Sequence, residues 1–80
     1  MDVTTDPTAL AGTSADTVYQ LQNVGSTTIN FVRGSAKPDA GATSGKLLPN
    51  AYVRFELDSG ESFWLWTLTG QSVVFFDEAL

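Results

Sequence analysis

Eighty residues with nine Asp+Glu against four Lys+Arg, a net charge of −5 and neither Cys nor His leave room for one small domain. Without Cys or His, disulfides, thiolate and imidazole catalysis and nearly every structural zinc site are excluded. The acidic balance argues against nucleic-acid or anionic-membrane partners, no apolar run nears the ~20 residues of a membrane helix, and the acidic opening MDVTTDPTALAGTS lacks the basic start and apolar centre of an export signal.

Residues 1–16 hold five Thr or Ser, three Asp, three Ala, one Pro and one Gly, with Val3 and Leu10 as the larger aliphatics. Neither period 2 nor a helical stripe is present, so this stretch is expected to be a flexible arm preceding a single β domain over residues 17–80. A rival reading is a single helical turn over residues 7–10, with Asp6 as N-cap and Pro7 at the first helical position.

From Thr17 onward short apolar runs alternate with turn residues, the pattern of an all-β chain. Residues 17–24 (TVYQLQNV) and 27–33 (TTINFVR) read as two strands of a β-hairpin, with Gly25 supplying a positive φ at the turn. Residues 34–45 (GSAKPDAGATSG) contain three Gly and one Pro and form a long loop, of a length often tied to function or mobility. A short extended piece over residues 46–48 precedes the Pro49-Asn50 turn. In residues 51–57 (AYVRFEL), Ala51, Val53, Phe55 and Leu57 alternate inward against Tyr52, Arg54 and Glu56 outward. An Asp58-Ser59-Gly60 turn leads to strands over residues 61–69 and 71–77, joined at Gly70. The sum is about five or six short strands in a small antiparallel sandwich or barrel.

The last two strands are apolar on both faces: Phe63 and Leu65 oppose Trp64, Trp66 and Leu68, while Val73 and Phe75 oppose Val74 and Phe76. A domain this small buries one face in its own core, so the second must meet the long loop, the N-terminal arm, another subunit or a partner. Below about 70–80 residues a core rarely supplies more than ~3–5 kcal/mol, and disulfides and histidine-held metals are gone, which leaves self-association as the stabilising device. Trp64, Trp66, Val74 and Phe76 are therefore the expected oligomer interface, with a closed-barrel core as the plainer role for the two tryptophans. Val3 and Leu10 are the anchors by which the arm would hold a partner.

Candidate chemistry is sparse. Asp58 and Glu61 flank a Ser-Gly turn, where solvent would keep two carboxylates alike instead of splitting them into acid and base, and the segment has too few oxygens for calcium. Seven serines have no His to activate them, and Lys37 and Lys46 lie in or beside the long loop, with no spacing that favours a Ser–Lys pair. The glycines of residues 34–45 match neither a dinucleotide fingerprint nor a P-loop. No catalytic residue, metal ligand or cofactor is assigned. Trp64 and Trp66 on one side of a strand could stack on sugar rings, with Asn50, Arg54 and Gln71 near enough to hydrogen-bond hydroxyls, although such aromatic pairs are more often core or interface.

Taken together, the landmarks run Tyr19-x-Leu21-x-Asn23-x-Gly25, a Gly/Ala-rich loop, Leu47-Leu48-Pro49-Asn50, an Asp58-x-Gly60-Glu61 turn and Trp64-x-Trp66. The string resembles a loose class of small all-β virion proteins of tailed bacteriophages, over about three quarters of the chain. The resemblance implies a structural role in the virion, typified by trimeric head-decoration (cement) proteins seated on the major capsid protein, and carries over no catalytic residue. Three readings follow. The first is a non-enzymatic, homo-oligomeric decoration protein, made in the host cytoplasm and resident in the virion. The second is a sugar- or host-surface-binding module of a fibre or spike that uses Trp64 and Trp66. The third is an acidic mimic that blocks a nucleic-acid-binding enzyme, disfavoured because its acids are scattered over turns and ends.

Overall fold

The computed structural model describes residues 1–79, which form eight strands and no helix. These are β1 (Asp2–Val3), β2 (Thr8–Ala9), β3 (Val18–Asn23), β4 (Ile29–Gly34), β5 (Gly45–Leu47), β6 (Tyr52–Glu56), β7 (Ser62–Trp66) and β8 (Ser72–Glu78). They assemble into two antiparallel four-stranded sheets in the orders β1-β8-β3-β6 and β2-β7-β4-β5. The arrangement is sandwich-like. The six strands expected from residue texture are present, and the two extra ones fall in the stretch read as a flexible arm.

That stretch is built into the fold. β1 pairs with β8 (Asp2 opposite Val73) and β2 pairs with β7 (Thr8 opposite Leu65), so residues 1–16 contribute one edge strand to each sheet. Val3 and Leu10 are 1% and 3% exposed and belong to the core cluster. Burying an aliphatic side chain of this size is worth about 1.5–3 kcal/mol. Two-residue strands are too short to show a period, and this is why composition alone reads them as unstructured. No helical turn forms over residues 7–10.

The expected hairpin over Gly25 is also corrected. β3 pairs with β6 and β8, whereas β4 pairs with β5 and β7, so the chain changes sheets at Gly25-Ser26. Gly25 is not among the residues with positive φ. It is glycine because a Cβ there would overlap Ser72 Oγ and stand 2.7 Å from the Val73 amide nitrogen. The corner is held by Asn23, which is fully buried and completely bonded. Its Nδ2 donates to Thr27 O (2.9 Å) and Leu47 O (3.0 Å), and its Oδ1 accepts from Gly25 N (3.1 Å) and Ser72 Oγ (2.7 Å). A buried amide is stabilising only when satisfied in this way.

Other turn signals keep their local meaning but join different sheets. Ala51 N donates to Leu48 O (3.0 Å) around Pro49 and Asn50, and Asn50 has φ 68°, the geometry of a type II turn. In Asp58-Ser59-Gly60-Glu61, Glu61 N donates to Asp58 O (3.0 Å) and Glu61 Oε1 accepts from Asp58 N (2.8 Å). Only the β4–β5 connection stays within one sheet.

Between the sheets, Leu21, Ile29 and Leu65 are fully buried beside an aromatic chain. Phe31 stacks on Phe63 (centroids 5.4 Å apart), Phe63 on Phe55 (4.0 Å), and Phe55 on Tyr19 (5.5 Å), with Phe76 edge-on to Tyr19 at 5.8 Å. Phe31 and Phe63 come from one sheet and the other three rings from its partner, so the stack ties the layers together. Each such pair adds about 0.5–1.5 kcal/mol beyond burial.

Candidate functional site

The four residues expected at an oligomer interface are not brought together. Alternation along β7 sends Phe63 and Leu65 into the core and leaves Trp64 and Trp66 on the outside of their sheet. There the loop between β4 and β5 covers them. Trp66 Nε1 donates to Ala40 O (2.8 Å), Trp64 Nε1 donates to Gly34 O (3.1 Å), and Trp66 has no solvent exposure. Val74 is 3% exposed in the core and Phe76 packs half-buried against it, both on the inner face of the other sheet. Trp66 and Val74 thus present no surface to a second copy. The second apolar face of β7 meets the chain's own loop, one of the four covers that its composition requires.

The loop is tied down further by Lys37 Nζ, 2.8 Å from Asp6 Oδ1, which is the ion pair among the described residues. Both side chains are more than half exposed, and such a pair contributes about 0–1 kcal/mol. Lys46 Nζ donates to Asn30 Oδ1 and, at 3.4 Å, to Ser44 Oγ. The Glu61 carboxylate is occupied in closing its turn with the Asp58 backbone, and among the described residues no three acidic side chains gather as metal ligands.

The outer face of the β1-β8-β3-β6 sheet is different, because among the described residues no loop lies over Tyr52 and Phe75. Gln22 on the central strand β3 stands directly between Tyr52 on β6 and Phe75 on β8. One step along the strands, Gln20 stands between Arg54 on β6 and Asp77 on β8. Tyr52 and Phe75 are 60% and 63% exposed, among the most exposed large apolar side chains of the molecule. With strands about 4.8 Å apart, the two rings sit roughly 10 Å from each other across the face. These six residues, together with Glu78 and Ala79, line an open groove of about 390 Å³. Val18 and Val73, each 40% exposed, extend the apolar character at its margins.

Sequence reading placed Tyr52 and Arg54 on the outward side of their strand and Phe75 on one face of β8, but did not join them. The missing information was pairing. Residues 22, 52 and 75 become neighbours only when β3 lies between β6 and β8, and adjacency in the chain suggests β3 beside β4 instead.

No protein-family model, curated protein or solved structure matches this chain.

Proposed function

We propose that this chain is a non-enzymatic structural protein of a tailed-phage virion, a homo-oligomeric decoration protein that stabilises the head through protein–protein contacts. The supporting observation is the open outer face of the β1-β8-β3-β6 sheet, where Tyr52 and Phe75 stand in solvent beside polar and charged neighbours. Exposed aromatics with a polar rim are the composition of an interaction surface. An acidic chain stays soluble before assembly, and binding to the assembled shell stabilises that shell by mass action. The contact is assigned to this face in place of Trp64 and Trp66, which the long loop covers.

The test is proteomics and heat challenge of purified particles from the phage that encodes the chain. The chain should be recovered with heads in copy number proportional to the capsid protein. Heads assembled without it should release DNA at a lower temperature. Absence of the chain from the particles rejects the reading.

A second reading, binding of sugars on a host surface, has its own observation on the same face. Tyr52 and Phe75 bracket the Gln22 amide, with Arg54, Gln20 and Asp77 alongside, which supplies ring faces for sugar C–H groups and hydrogen-bonding groups for hydroxyls. The sugar platform moves from Trp64 and Trp66 to Tyr52 and Phe75. Glycan-array binding that disappears in Tyr52→Ala favours this reading over the first.

A further inference from the structure

The six side chains of the open face form a pattern that is complementary to itself. In the row nearer the middle of β6 the order across the sheet is Arg54, Gln20, Asp77; in the adjacent row it is Tyr52, Gln22, Phe75. Both rows have an amide on the central strand and differ at the two ends. A two-fold axis running along β3, in the plane above the face, exchanges the two ends of each row while keeping the rows in register. It therefore sets Arg54 of one copy over Asp77 of the other, twice. It also sets Tyr52 over Phe75, twice, and stacks each glutamine on its own counterpart, where a side-chain amide can both donate and accept.

We infer that this face is the interface of a two-fold symmetric dimer of the chain, held by reciprocal Arg54–Asp77 ion pairs beside reciprocal Tyr52–Phe75 ring contacts. This rests on the reading that the chain works through protein contacts and names its first partner, a second copy. Three observations favour that occupant. Neither Arg54 nor Asp77 joins an ion pair among the described residues, so each has its charge free for a partner. The opposite charges are placed at equal distances on either side of the central strand, which an isologous contact requires and an arbitrary partner does not. The paired rings and amides follow from the same symmetry operation with no further adjustment. A three-fold ring, the assembly expected from the phage resemblance, joins two different patches on each copy and gives this internal matching no role.

The test is a charge-swap series read by light scattering coupled to size exclusion over a tenfold range of concentration. The unaltered chain should run at twice its 8.5 kDa mass and dissociate on dilution. Arg54→Asp and Asp77→Arg each place like charges face to face at both ends of the row and should each weaken dimerisation on the order of a hundredfold. The double variant R54D/D77R restores opposite charges across the axis and should recover the dimer. Both positions are exposed, so circular dichroism of all three variants should match the parent chain. A parent chain that stays at 8.5 kDa throughout overturns the inference, and so does an oligomer indifferent to the single swaps. Dissociation by the single swaps without recovery in the double variant also overturns it. A monomer that binds glycans through Tyr52 and Phe75 gives the face to sugar. The virion reading fails separately, by absence of the chain from purified particles, and a dimer found in that case leaves the interface standing and its location to be reassigned.

Discussion

The two outer faces of this sandwich start from similar material and end in opposite states. On the β2-β7-β4-β5 sheet, Trp64 and Trp66 face outward, and the segment that leaves β4 turns back over them, Gly34 O at the end of β4 accepting from the Trp64 indole and Ala40 O in the loop of residues 35–44 from the Trp66 indole. On the β1-β8-β3-β6 sheet, Tyr52 and Phe75 face outward with no loop to cover them. The difference lies in the connections. The covered sheet contains the one within-sheet connection, β4 to β5, and that segment is long enough to fold back across the face. The open sheet receives β3, β6 and β8 from the other layer through connections that cross between the sheets. A small domain with two apolar faces can thus close one with its own backbone and leave the other for a partner.

The sharpest way to break this comparison is to remove the segment that was expected to be dispensable. Deleting residues 1–10 takes away β1, β2 and the buried Val3 and Leu10, and should cost about 3–6 kcal/mol. A domain this size has little more to lose, so urea titration or thermal melting should find it unfolded or nearly so. A truncated chain with an unchanged melting temperature restores the flexible arm. Next in size is Trp66→Ala, which empties the space beneath the loop and should destabilise by about 3–5 kcal/mol, with protease cleavage appearing within residues 35–44. Last is Phe75→Ala on the open face. Its effect on the folding stability of the monomer, measured at high dilution, should stay within about 0.5 kcal/mol. If Phe75→Ala proves as damaging to the monomer as Trp66→Ala, the two faces do not differ in the way described.

Much of the fold was legible in residue order, and the gaps have physical causes. The β3, β4, β6, β7 and β8 strands follow from short apolar runs between turn residues, and the alternation in residues 51–57 points to both the buried Phe55 and Leu57 and the exposed Tyr52 and Arg54. What alternation cannot carry is pairing. Gly25-Ser26 has the residues of a tight reversal, yet its glycine serves the close approach of Ser72 across a corner. The excess of apolar surface on β7 and β8 was also visible. Its resolution was not, because the cover over Trp66 consists of small residues acting through their carbonyl groups, and carbonyls have no signature in composition. The open face has no local signature for a related reason: its residues on different strands lie more than twenty positions apart in the chain and meet only through the β6-β3-β8 order.

That strand order also bears on how the chain can be made. β8, the last strand in the chain, sits inside its sheet between β1 and β3, and β1, the first, has no other neighbour. Nearly every pairing joins segments distant in sequence, the kind of topology that folds slowly because loop closure precedes any gain from contact. During synthesis β1 has no partner, and β3 only one of its two, until residues 72–78 have left the ribosome. The domain therefore cannot close before β8 is in place, and a chain truncated before residue 72 would display its aromatic interior to solvent.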